Sequence, residues 1–237
     1  MQHFYLPAEN FRDDYIIASD KKLIHQLSKV LRSQEGDRFA IFDNSGEEYL
    51  AQLIELNKLT AKFLIIDRKL GQTEAKVAIT IYQSLIKPEK FEWFLQKAVE
   101  VGVKKIVPIV AKRSIIKDIT PAKKQRYREI IKEATEQSER VKLLELGEVV
   151  NFTGAVKSAS LETGLKLIAA ERYGHVVPEL FKSESFQIFV GPEGGWDKEE
   201  LNYAQENSLE PVGLGKRIFR SETCGIYLAS VLDFFSQ

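Results

Sequence analysis

Gly191-Pro192-Glu193-Gly194-Gly195 follows the apolar run 186–190 and precedes the helix-start signal Asp197-Lys198-Glu199-Glu200. A strand that empties through a glycine turn into a helix leaves backbone N–H groups unpaired at one spot, where an anionic or polar ligand can be held. A second glycine turn, Leu214-Gly215-Lys216-Arg217-Ile218-Phe219-Arg220-Ser221-Glu222-Thr223, lies downstream and leads into the last apolar helix. Two such loops at the ends of consecutive strands point to a cleft, because α/β sheets bind ligands outside their strand carboxyl ends. Either loop alone would equally suit a plain connection.

Upstream, the rhythm of the chain changes once. Residues 1–70 read as short alternating strands with turn signals: strands over 38–43, 48–54 and 59–66, turns at Asn44-Ser45-Gly46 and Asn57-Lys58, and one short helix over 20–31. Such a run of hairpins predicts a small β-barrel. The polar, glycine-bearing stretch 70–75 marks a boundary, and beyond it strands alternate with longer helices, as a parallel α/β sheet requires. Strands are expected over 76–85, 106–110, 165–170, 186–190 and 211–214. Helices are expected over 88–101, from Thr120-Pro121 onward, and at the end of the chain, where 226–235 is the buried side of a closing helix.

The composition narrows the chemistry. The 237 residues, 44% hydrophobic, suffice for one large or two smaller domains. No apolar run reaches the roughly 20 residues that span a bilayer, and the N-terminus lacks a leader pattern, so a cytoplasmic protein is expected. Cys224 is the single cysteine, and His3, His25 and His175 are scattered, so neither a disulfide nor metal-ligand spacing is present. Cys224 reads as a small packed residue rather than a nucleophile. The net charge of zero conceals an uneven distribution: Lys+Arg against Asp+Glu runs 10 to 12 over residues 1–75, 16 to 8 over 76–142, and 8 to 14 over 143–237. A polyanionic partner would meet the middle segment.

The two glycine loops, with Ile218, Arg220, Ser221 and Thr223 in order, resemble those of the RsmE family of SPOUT-class RNA methyltransferases, which move a methyl group from S-adenosylmethionine to N3 of a uridine in 16S ribosomal RNA. Further matches fall in the same order: His25 with Val30-Leu31-Arg32 and Gly36-Asp37, then Lys97-Ala98-Val99-Glu100-Val101-Gly102-Val103, Lys112-Arg113-Ser114, and Glu136-Gln137-Ser138 with Arg140. The resemblance covers the whole chain. It implies an RNA-binding PUA-like β-barrel over 1–72 and a SPOUT α/β domain with a trefoil knot over 73–237. It also implies a homodimer whose substrate is 16S rRNA within the 30S subunit, with no metal and no membrane. Phe219 stands where the family usually has leucine, Cys224 where it has alanine, and the segment after Arg140 lacks the common asparagine and proline; these swaps alter packing more than chemistry.

The cofactor contacts implied are Ala169, Gly191, Pro192, Glu193, Gly194, Gly195, Leu214, Gly215, Ile218, Phe219 and Thr223. Uridine N3 is a weakly acidic imide, so transfer needs a proton acceptor or a cation to stabilise the anion. Arg220 is the candidate for the electrostatic role, against a plain salt bridge to Glu222 or Glu193. Glu222 is either the proton acceptor or a helix-capping carboxylate, and the general base stays unassigned. His25, Arg32, Lys112, Arg113 and Arg140 are the RNA-contact candidates. The basic helix face of Lys123, Lys124, Arg126, Arg128 and Lys132 reads as solvated. Trp196 and Tyr173 either stack on a base or pack. Two rivals remain: a related SPOUT enzyme acting on another RNA atom, against which the His25 to Arg32 motif argues, and a non-catalytic ribosome-assembly factor, against which two intact glycine loops argue.

Overall fold

The computed structural model describes residues 1–170 and 183–236. The chain divides into two compact units, 1–74 with 135–143, and 75–134 with 144–237. Tyr173 and His175 lie outside the described residues.

The first unit is a six-stranded sheet. Its strands are β1 (His3–Tyr5), β2 (Phe11–Arg12), β3 (Tyr15–Ala18), β4 (Arg38–Phe42), β5 (Glu47–Leu56) and β6 (Ala61–Leu70), in the order β1-β4-β5-β6-β3-β2. Only β1 and β4 run parallel in this sheet; the other pairs are antiparallel. The expected helix over 20–31 is α1 (Lys21–His25), capped by the Asp20 side chain accepting from Leu23 N–H at 2.8 Å, and it loosens into a π-helical turn over Gln26–Val30. Leu23 and Leu27 turn inward onto Phe4, Ile16, Phe39, Leu53 and Phe63, all buried. Alternation along β5 and β6 supplies that core from one face, as a half-buried sheet demands.

Thr135–Leu143 groups with this unit, although the sequence places it inside the second domain. Glu74 explains the return: its carboxylate accepts from the Arg140 guanidinium at 2.7 Å and from the backbone N–H groups of Val141 and Lys142 at 3.1 and 3.0 Å.

The second unit holds β7 (Ala78–Ser84), α2 (Pro88–Glu100), β8 (Lys105–Val110), β9 (Glu145–Leu146), β10 (Val150–Asn151), α4 (Phe152–Ser160), β11 (Leu165–Ala169), β12 (Ser185–Val190), α5 (Lys198–Glu206), β13 (Glu210–Val212) and α6 (Ser221–Phe234). Helix α3 (Pro121–Gln137) starts here, and its last residues group with the first unit. The strand order is β10-β8-β7-β12-β11-β13, with β9 also on β8, and every pair is parallel. Central β12 is buried from Phe186 to Val190 because helices cover both faces of such a sheet. Helix α6 packs against α2, β7 and β12, and Gly225 allows the approach: a Cβ there would lie 3.3 Å from Ile81 and 3.4 Å from Val190. No helix among the described residues is long and apolar enough to cross a membrane.

Helix α4 was not anticipated; α6 begins at Ser221, ahead of the apolar stretch from 226, with Glu222 in its first turn. Asn151 caps α4 by accepting from Gly154 N–H at 2.7 Å, a signal that the adjoining Phe-Thr-Gly masks in the sequence.

The buried His3 ring is stacked on Phe42 at 4.7 Å, with Nε2 3.5 Å from Glu48. Burial holds its imidazole below the usual 6.5, the neighbouring Glu48 opposing that shift. As pH falls through 6.5 the unfolded chain takes up a proton that the folded unit refuses, so stability declines until the folded pKa is passed. Denaturation midpoints of the wild type should therefore fall on acidification below pH 6.5, and His3→Phe should flatten that part of the profile; an unaltered slope would refute the assignment.

Candidate functional site

Because all strands of the second sheet are parallel, β7, β11, β12 and β13 deliver their carboxyl ends to one edge. There Gln83 is paired across from Val190, Ile168 from Phe189, and Ala169 from Val212. The loops that leave this edge, 191–195 and 213–220, enclose a cleft of about 690 Å³.

Three contacts shape the first loop. Trp196 Nε1 donates to the Ala169 carbonyl at 2.9 Å, and its ring tilts against Phe152 at 5.1 Å. Gly191 lies under that indole, where a Cβ would come within 3.1 Å. Ser221 Oγ donates to the Gly191 carbonyl at 2.5 Å and accepts from Gln83 Nε2 at 2.9 Å. Gln83 and Ser84 are fully buried. A buried amide at the end of β7 thus ties the loop after β12 to the first residue of α6.

Asp197 starts α5 with a capping box: its carboxylate accepts from Glu199 N–H, and Glu200 Oε2 accepts from Asp197 N–H at 2.9 Å. The other oxygen of Glu200 accepts from Lys112 N–H at 2.8 Å, and Lys112 Nζ reaches Glu199 and Asp197 at 3.0 and 3.2 Å. Arg113 donates to the Gly194 carbonyl at 3.2 Å and pairs with Asp197 at 3.3 Å. The Glu199 N–H first, then the Lys112 ammonium, hold the Asp197 carboxyl below its usual range, and Glu199 and Asp197 raise Lys112.

The cleft brings together most of the residues singled out from the sequence. Ala169, Gly191, Pro192, Glu193, Gly194, Gly195, Leu214, Gly215, Ile218, Phe219, Arg220 and Arg113 all line it, with Lys90, Trp196, Arg217 and Ser221. Thr223 does not; its hydroxyl donates to the Arg220 carbonyl at 3.2 Å. Glu222 is absent from the lining, buried, and makes no cap bond; its Oε1 lies 3.3 Å from Lys90 Nζ, and its Oε2 has no hydrogen-bond partner. Arg220 is exposed, and among the described residues it has no ion pair. The carboxylates weighed as its partners face Lys90 instead.

In the first unit, His25 and Arg32 are exposed. Arg140 requires a correction: its side chain is 4% exposed and bonded to Glu74, so it is a buried structural pair and not a phosphate contact. Trp196 packs on Phe152 and also lines the cleft. On the basic face of α3, Lys124 pairs with Glu148 and Arg126 with Glu92. Cys224 is a small buried residue. Sequence reasoning missed Gln83, Lys90 and the second role of Glu200. Glu200 carried a readable signal, the capping spacing after Asp197, and Lys90 carried none.

A parallel sheet with paired glycine loops over a cleft, preceded by a small β unit, fits the RNA methyltransferase architecture that the sequence resemblance implies. Family models agree: an RNA methyltransferase domain matches residues 73–233, and an RNA methyltransferase PUA domain matches residues 27–66. The ribosomal RNA small subunit methyltransferase E of Bacillus subtilis is 31% identical over 225 residues, 90% of this chain and 88% of that one. The fold matches the crystal structure of the Neisseria gonorrhoeae methyltransferase of that name, bound to S-adenosylmethionine, with a TM-score of 0.88 at 29% identity over 99% and 97% of the two chains. A Legionella pneumophila protein solved with the same cofactor gives 0.85 at 26% identity, over 97% and 96%. The chain belongs to the ribosomal RNA small subunit methyltransferase E family.

Losing the Ser221 hydroxyl would strand the Gln83 amide and the Gly191 carbonyl, at a cost of about 1–2 kcal/mol. Ser221→Ala should lower the thermal midpoint by roughly 3–6 °C; an unchanged midpoint in scanning fluorimetry would show that the loop is held by other contacts.

Proposed function

We propose that the protein is a methyltransferase that carries a methyl group from S-adenosylmethionine to N3 of a uridine in 16S ribosomal RNA. The observation that carries this reading is the cleft between the loops 191–195 and 213–220, seen in a chain whose family and solved relatives point to the same chemistry.

The residues present fit that cofactor. Gly195 and Gly215 line the cleft at φ +68° and +91°, and a Cβ built on either meets nothing within 4 Å. Backbone is thus laid open on both sides of the cleft, where side chains would otherwise occupy the room. Apolar Ala169, Val190, Leu214, Ile218 and Phe219 supply packing surface for a nucleoside. When bound, S-adenosylmethionine supplies an electrophilic methyl on sulfonium.

The protein contributes position and charge. Held orientation of two reactants is worth up to roughly 7–11 kcal/mol. Arg220 lines the cleft with no ion pair among the described residues, so its guanidinium is available to stabilise the negative charge that spreads over the uridine carbonyls once N3 is deprotonated. Thr223 contributes through its bond to the Arg220 backbone.

The same reading extends to the finer fold and partners. A trefoil knot of the SPOUT type, a homodimer, a PUA-like RNA-binding domain over 1–72, a methyltransferase domain over 73–237, and a cytoplasmic enzyme acting on the 30S subunit are all supported by the family. RNA contacts are assigned to His25 and Arg32 in the first unit, exposed as such contacts must be, and to Lys112 and Arg113 in the second.

Labelled S-adenosylmethionine incubated with 30S subunits lacking their own modification should yield N3-methyluridine on nucleoside analysis of the digested 16S RNA. Transfer to a different atom or RNA would replace the substrate assignment, and failure to bind the cofactor would remove the enzymatic reading. Arg220→Ala should reduce single-turnover methylation by about 100-fold while leaving cofactor affinity within about threefold; undiminished single turnover excludes Arg220 from the reaction.

A further inference from the structure

Lys90 is on neither of the glycine loops, yet it lines the cleft they form. Its ammonium stands 3.3 Å from Glu222 Oε1 and 3.8 Å from Glu193 Oε1. Glu193 belongs to the loop after β12, Glu222 to the first turn of α6, and Lys90 to the first turn of α2. A lysine in the first turn of a helix faces the positive end of the helix dipole, so this placement opposes the local field unless anions compensate it. Here two do.

The need runs the other way as well. Glu222 is 8% exposed and its Oε2 is buried with no hydrogen-bond partner. A carboxylate in that position requires a nearby cation. Arg113, Arg217 and Arg220 line the same cleft, but none of them pairs with Glu193 or Glu222.

We infer that Lys90 is a positioning residue, a charge clamp that holds the 191–195 loop and the start of α6 in the spacing needed to bind S-adenosylmethionine. The inference rests on the reading of the cleft as the cofactor site. Without the ammonium, two carboxylates belonging to the two walls of the cleft lose their shared counter-charge and repel. The clamp acts through charge rather than through the lysine stem, which separates it from ordinary packing.

Titration calorimetry with S-adenosylmethionine on the full chain tests this. Lys90→Met should weaken binding roughly tenfold or more, and Lys90→Arg should stay within about threefold of the wild type. The double variant Lys90→Met/Glu222→Gln should recover most of the loss, because neutralising one carboxylate removes the repulsion. Near-normal binding by Lys90→Met would overturn the clamp. So would a double variant as weak as the single one, since that pattern belongs to lost packing. If Lys90→Met does not fold, the arginine variant decides: a tenfold loss with the charge retained overturns the proposal, and normal affinity upholds it. A wild type that does not bind S-adenosylmethionine would instead overturn the cofactor reading, and the clamp with it.

Discussion

Gln83 sits fully buried at the cleft end of β7, donates to Ser221 Oγ, and Ser221 in turn donates to the Gly191 carbonyl. The geometry of the cleft depends on this relay. The loop after β12 and the turn before α6 are thirty residues apart in sequence, and glycines in both make each one conformationally permissive. A short bond between them, fixed from below by a side chain on a central strand, converts two free loops into two walls of one site. Trp196 anchors the opposite flank through the Ala169 carbonyl, so the 191–195 loop is held from two neighbouring strands. Burying an amide there is costly unless it is bonded; Gln83 Nε2 donates both to Ser221 Oγ and to the Ser84 carbonyl at 3.1 Å, while its Oε1 has no hydrogen-bond partner among the described residues.

Charge is apportioned around that frame. Lys112 and Arg113 are engaged by Asp197 and Glu199, and Glu200 fixes the Lys112 backbone. Lys90 faces Glu193 and Glu222. Arg220 is left without an ion pair among the described residues, although it borders the same cleft. Exposed pairs such as Lys112 with Glu199 contribute little to stability.

How much of this was legible follows from what each residue signals locally. The strand 186–190, its glycine loop and the second glycine turn could be read because contiguous apolar residues and glycines report a buried parallel strand and its exit. The β5–β6 hairpin could be read from alternation. Arg140 could not: it looks like any basic residue near a helix end, and its partner Glu74 lies 66 positions upstream. Lys90 was equally silent, a polar residue on an amphipathic helix whose partners lie more than a hundred residues away in sequence. Gln83 interrupts an apolar strand, a mark that is visible in the sequence but has no meaning until Ser221 is known to lie beneath the loop. Long-range pairing of polar groups has no periodicity, and periodicity is what a single sequence offers.

The start of α6 shows the same limit from the other side. Apolar spacing marks only the buried side of the helix, from 226 onward, whereas the helix begins at Ser221. Ser221 and Glu222, ahead of that apolar stretch, are polar yet buried, at 9% and 8% exposed. A helix that only packed would open with apolar residues on its inner face, or with a capping side chain at its end. This one opens with an arginine that caps nothing, a serine bonded to a distant carbonyl and a glutamate paired with a lysine of α2. Local rules fail where a segment's side chains answer to a site rather than to their own helix. The polar opening turn, ahead of the apolar stretch, therefore marks the wall of the cleft from the sequence side, just as the two buried polar residues mark it from the structural side.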